Sequence, residues 1–190
     1  MAVQSSDSEL VIRALQQDAV AWETLVGTYQ EPVFRLSYLL LGDADEAEDN
    51  AQETFVRAYR ALHRYDRERP LHPWLLSIAG NLARNRRRSL GRYFAAVQRL
   101  WHSDPMPGSS VEEHSQQRNR SQALWKAVQK LQPDHQRVVY LRYFLDMSVE
   151  ETAEALEVAP GTVKSRLHRA IERLRQLIDT DDPEVKELLE

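Results

Sequence analysis

The chain has 190 residues, 25 Lys and Arg against 29 Asp and Glu, a formal net charge of −4 and no cysteine. That length accommodates one ordinary domain or two small ones, and the cysteine count excludes a disulfide framework and a thiolate metal site. With 6 Gly and few runs of Val, Ile and Thr, helices are favoured over strands. No apolar run approaches the ~20 residues needed to span a bilayer, and MAVQSSDSEL lacks the basic-then-apolar pattern of a secretory leader.

In chain order, Asp7 or Ser8 is placed to cap a first helix carrying Leu10, Val11, Ala14 and Leu15 at helical spacing. A second apolar run extends from Trp22 to Leu40 and stops at Gly42, a residue suited to end a helix. Asp43 or Asp45 restarts a helix to about Arg64, with Ala47, Ala51, Phe55, Ala58, Tyr59 and Leu62 as its inner stripe. Tyr65 to Pro73 is polar, holds two prolines and predicts a loop. From Pro73 a further helix carries Trp74, Leu75, Ile78, Ala79 and Leu82, with Trp74 and Ile78 read as core. It leads into an arginine-rich block, beyond which Arg92 to Trp101 is a helical extension or a docking segment. His102 to Gln117 predicts a linker. The pattern resumes near Asn119, and helices are expected over Pro133–Phe144, Ser148–Leu156 and Pro160–Ile178, followed by an acidic tail.

The small net charge hides a segregation. Asp43 to Glu53 holds six acids and no base, whereas Arg84 to Arg99 holds six arginines and no acid. Local fields rather than net charge steer a polyanion. No nucleophile–base pair, nucleotide loop or metal motif stands out, so no cofactor, no metal and no catalytic residue are expected. His63, His72, His102, His114 and His135 show no ligand spacing and are read as surface or packing residues.

The most informative stretch is SVEETAEALEVAPGTVKSRLHRAIERLRQL, which predicts two short helices joined by a tight turn. Ser148 with Glu151 forms a capping box, and Thr162 is placed to cap the second helix. Val163, Leu167, Ala170, Ile171 and Leu174 form its inner stripe. Lys164, Ser165, Arg166, His168, Arg169 and Arg173 form a cationic outer face able to reach base edges and phosphates. An ordinary helical hairpin with a solvated Arg/Lys face carries the same spacing.

GTVKSRLHRAIERLR resembles the recognition helix of bacterial sigma factors, particularly the extracytoplasmic-function (ECF) group of the sigma-70 family. LQPDHQRVVYLRYFLDMSVEETAEAL looks like the earlier helices of the same domain. The resemblance implies readout of the promoter −35 element, with Lys164, Ser165, His168 and Arg169 where members contact DNA and Arg166 on a phosphate. LGDADEAEDNAQETFVRAYRAL is similar to the segment that docks on polymerase clamp helices, which implies Asp49, Gln52, Glu53 and Arg57 as polymerase contacts; Asn50 departs from the aliphatic residue usual there. RERPLHPWLLSIAGNLARNRRR looks like the promoter-melting and −10-reading part. By that match the Tyr65–Pro73 loop forms a base pocket, Asn81 and Asn85 face the single strand, and Arg84, Arg87 and Arg88 hold phosphates. Many members carry Asp in place of Asn85.

The resemblance covers about residues 8–95 and 122–178. It implies an all-α chain of two small helical domains joined by a flexible linker: a sigma-2-like bundle over 1–95, a linker over 96–121, a sigma-4-like helix-turn-helix over 122–180 and an acidic tail over 181–190. Implied partners are core RNA polymerase (the beta-prime clamp helices and the beta flap), promoter DNA in duplex and single-stranded form, and an anti-sigma factor, with no membrane insertion and a cytoplasmic location. The rival readings are a helix-turn-helix transcriptional activator with a helical sensor domain and a helical protein–protein adaptor.

Overall fold

The computed structural model describes the backbone of residues 2–100 and 124–181 and the side chains of residues 7–87 and 124–178. Among the described residues it is all helical, without strands: α1 (Ala2–Leu15), α2 (Ala19–Leu41), α3 (Ala44–Ala61), a 3-10 turn (Leu62–Arg64), α4 (Leu71–Leu100), α5 (residues 124–129), α6 (Pro133–Val139), a π-helical turn (Tyr140–Phe144), α7 (Val149–Leu156) and α8 (Pro160–Asp181).

Several helix ends follow directly from local chemistry. Gly42 ends α2 at φ 78°, a left-handed position that costs glycine nothing, and its N–H donates to the Tyr38 carbonyl. Asp43 starts α3 by accepting from the Glu46 N–H at 2.9 Å. At α7 the Ser148 hydroxyl accepts from the Glu151 N–H at 3.1 Å while the Glu151 carboxylate accepts from the Ser148 N–H at 2.8 Å, the reciprocal capping box expected from sequence.

Other ends differ from expectation. Asp7 caps nothing: α1 begins at Ala2, and the Asp7 carboxylate instead accepts from the Tyr29 hydroxyl of α2. Helix α3 stops at Ala61 and tightens into the 3-10 turn, and Leu71 opens α4, so the loop spans only residues 65–70. Thr162 lies inside α8, which begins at Pro160, where the missing N–H is no loss. The helix expected over Pro133–Phe144 loosens to π geometry at Tyr140, closing with Leu145 N–H on the Tyr140 carbonyl at 3.1 Å. Past the arginine block α4 continues as helix to Leu100. The linker stretch His102–Gln117 and the tail 182–190 lie outside the described residues.

Helices α1 to α4 pack as one bundle around Val11, Leu25, Val33, Leu36, Leu75 and Leu76, and α6 to α8 pack around Val138, Leu141, Met147, Ala153 and Val163. The two groups touch: α4 lies against α7, and their buried apolar residues form one continuous cluster. Burial at ~25 cal/mol per Å2 of apolar surface is the main stabilising term for such a bundle.

Candidate nucleic-acid and protein-docking interfaces

Helix α8 presents its two faces as the sequence pattern demands. Val163 and Ala170 are fully buried, and Leu167 and Leu174 pack partly buried against the core. Lys164, Ser165, His168, Arg169 and Arg173 are exposed. Arg166 is half-buried because its Nη2 reaches Asp134 of α6 at 2.9 Å. The turn before α8 is made by Glu157 at φ 55°, where Val158 N–H donates to the Ala153 carbonyl at 3.0 Å. A non-glycine residue there costs about 1 kcal/mol and is held by the packing of α7 on α8.

Asp49, Gln52 and Arg57 are exposed on α3 and Glu53 is half-buried beside them. Arg57 pairs with Glu53 at 2.7 Å, one turn away on the same face. The Arg57 guanidinium, opposed by slight desolvation, holds the Glu53 carboxyl below the usual carboxylate range. Asp49 lies 3.7 Å from Arg86 of α4. A groove of about 610 Å3 runs beside this face between α2 and α3, with Val26, Phe34, Ala51 and Phe55 as its apolar lining and Glu31, Glu48 and Gln52 as polar members. Asn50 points the other way. It is fully buried and donates to the Ser37 hydroxyl at 2.9 Å and the Ala79 carbonyl at 3.2 Å, joining α3 to α2 and α4.

On α4, Asn81, Arg84, Asn85 and Arg87 are exposed, and the Arg88 side chain lies outside the described residues. Positions 81, 84 and 85 share one helical face. Tyr65 is half-buried: its ring packs 4.8 Å from Trp74 and its hydroxyl donates to the Arg69 carbonyl, closing the loop on itself. Desolvation, then the Asp7, Asp66 and Glu154 carboxylates, push the Tyr65 hydroxyl up to about 12. Trp74 and Ile78 pack against the core as expected.

Two features were not drawn from sequence. Arg86 lies within the arginine block yet bonds Glu46 of α3 at 2.7 Å, so it works as a clamp between helices. Arg137 of α6 is buried against α4, where a Cβ added to Gly80 would stand 2.9 Å from its Nη2. A glycine in mid-helix, costing roughly 0.5–1 kcal/mol against Ala, was the available signal of a close approach.

Among the described residues, no group of three or more His, Cys, Asp or Glu could hold a metal ion, and no helix is long and apolar enough to cross a membrane. His63 and His168 are exposed and His72 and His135 half-buried, whereas His102 and His114 lie outside the described residues.

Residues 25–93 match the family model described as Sigma-70 region 2, and residues 121–174 that of Sigma-70, region 4. The chain is 32% identical over 167 residues to the ECF RNA polymerase sigma factor SigW of Bacillus subtilis (strain 168), covering 84% of this chain and 89% of that protein. It is 32% identical over 182 residues to the RNA polymerase sigma-H factor of Pseudomonas aeruginosa, covering 92% and 94% respectively. In fold it is similar to CnrH, solved in complex with the cytosolic domain of CnrY, with TM-score 0.69 and 24% identity over 93% of this chain and 99% of that one. It is also similar to the sigma factor RpoE of Bartonella quintana, solved with the anti-sigma factor NepR, with TM-score 0.64 and 23% identity over 84% and 97%. The chain belongs to the ECF group of the sigma-70 family, sigma factors that direct promoter-specific transcription.

Proposed function

We propose that this sigma factor joins core RNA polymerase through the exposed face of α3 and grips promoter DNA at two places. The observation that carries the reading is the separation of charge on one chain: α3 offers Asp49, Gln52 and Glu53 to a protein partner, while α4 and α8 offer cations to phosphates. Asp49, Gln52, Glu53 and Arg57 meet the beta-prime clamp helices, and the C-terminal helices meet the beta flap. Lys164, Ser165, His168 and Arg169 read the −35 duplex from the major groove, with Arg166 and Arg173 on its backbone. Arg84, Arg87 and Arg88 hold backbone phosphates near −10 while Asn81 and Asn85 face the opened strand. Tyr65 takes part after its loop rearranges, because its hydroxyl is engaged with Arg69 here.

In this reading residues 1–95 are the polymerase-binding and melting domain, 122–180 the −35 domain and 96–121 their connection. The chain itself is not an enzyme; the polymerase performs the chemistry. It works in the cytoplasm, and an anti-sigma factor covering the α3 and α8 faces is its regulator. The deciding experiment adds the purified chain to core polymerase and sequences the transcripts started from a genomic template. Promoter-specific initiation with a shared −35 and −10 pattern is expected. Duplex binding without conferred initiation would instead assign a polymerase-independent activator.

A further inference from the structure

A cavity of about 840 Å3 lies where α4 faces α6 and α8. Its walls carry five guanidiniums, those of Arg84, Arg87, Arg137, Arg166 and Arg169, and one carboxylate among the described residues, Asp134. Arg166 already engages that carboxylate at 2.9 Å. Arg137 is only 8% exposed, so its charge is held out of bulk water against the α4 backbone at Gly80. Like charges around a partly enclosed space repel, and water and salt screen them less there than on an open surface. The packing of α4 against the C-terminal helices therefore concentrates cations that one carboxylate does not balance.

We propose that this cavity binds a polyphosphate anion, either inorganic or carried by a nucleoside, and that the anion holds the two halves of the chain together. Guanidinium forks match phosphate oxygens in pairs, and several forks around one volume suit several linked phosphates better than one carboxylate. The volume falls within the ~300–1,000 Å3 of small-molecule sites, and a DNA duplex does not enter it. Arg84, Arg87, Arg166 and Arg169 are also proposed promoter contacts, so the anion and promoter DNA compete for them. The anion site does not rest on the promoter reading, and its test involves neither polymerase nor promoter.

The absence of native cysteine permits a direct measurement. Glu23→Cys on α2 and Glu172→Cys on α8, both exposed, take a donor and an acceptor dye in the full-length chain. Tripolyphosphate, a nucleoside triphosphate and NaCl are titrated at matched ionic strength. Energy transfer is expected to rise saturably with tripolyphosphate and not with NaCl. An equal rise with the nucleotide assigns the phosphates as the recognised group; a rise with the nucleotide at clearly lower concentration adds a base contact to the site. Arg137→Gln is expected to weaken the response about tenfold, the loss of one charge-assisted bond. Gly80→Leu is expected to abolish it with helicity retained, because a leucine there occupies the Arg137 seat, whereas an alanine could be met by a swing of the guanidinium. No change in transfer, a rise that NaCl reproduces, or full responses in both variants would overturn the site.

Discussion

Arg86 of α4 donates to the Glu46 carboxylate of α3 at 2.7 Å and to the Glu46 carbonyl at 3.3 Å. The acidic and basic runs that stand apart along the chain therefore meet in space, and one of the six arginines serves the fold. Asp49, 3.7 Å from the same guanidinium, stays exposed. The α3 face that carries Asp49 is thus braced by α4 through Arg86.

Reversing that face tests its role. Asp49→Lys combined with Glu53→Lys is expected to abolish binding to core polymerase in a pull-down while circular dichroism shows unchanged helicity. Both side chains are surface groups whose pairs contribute about 1 kcal/mol or less to stability, so a loss of binding with the fold intact is the expected separation. Unchanged binding would remove Asp49 and Glu53 from the interface.

Readout by α8 is tested at Arg169. Arg169→Ala is expected to cost about 1–3 kcal/mol on the cognate −35 sequence and less on scrambled duplexes if the guanidinium reaches a base edge. Binding titrations at two salt concentrations distinguish the alternatives. An equal loss on every sequence, with a shallower salt dependence, would make it a phosphate contact.

Asn50 predicts a stability effect. Its amide supplies the Ser37 hydroxyl and the Ala79 carbonyl, both in the buried seam between α2, α3 and α4. Asn50→Ala leaves both acceptors without that donor and should cost about 1–3 kcal/mol in urea unfolding. A variant as stable as the parent would show that the network adds no net stability.

His72 predicts a pH dependence. It is stacked on Tyr29 of α2 with ring centroids 5.5 Å apart, and its Nε2 is buried without a hydrogen-bond partner among the described residues. Burial lowers its pKa from the usual 6.5, against the opposing pull of Glu151 on α7 and Asp7 on α1. The unfolded chain takes up the proton first, so the stabilising contribution is complete above 6.5 and is lost as pH falls through the lower folded value. His72→Phe should flatten the fall in urea midpoint as pH drops below 6.5. Parallel curves for parent and variant would contradict this.

The helices, most of their caps and the two faces of α8 were legible in the sequence because they depend on neighbours within four residues. Ser148 with Glu151, Gly42, and the Val163–Leu174 stripe are of this kind. Thr162 misled because a hydroxyl suits a cap wherever it falls, whereas Pro160 two residues earlier was the stronger start. The break at Tyr140 left no mark in the 3.6-residue pattern; in the structure the Tyr140 ring packs beside Trp125 and Phe144.

A helical chain, segregated charge and a C-terminal helix pair that presents cations all follow from residues close together in the chain. Which charged and polar groups are spent on the fold follows from how the helices pack. Arg86 on Glu46, Asn50 on Ala79 and Arg137 on Gly80 join residues 40, 29 and 57 positions apart. No periodicity encodes such pairs, because helical spacing fixes which side chains share a face and says nothing of which face another helix covers.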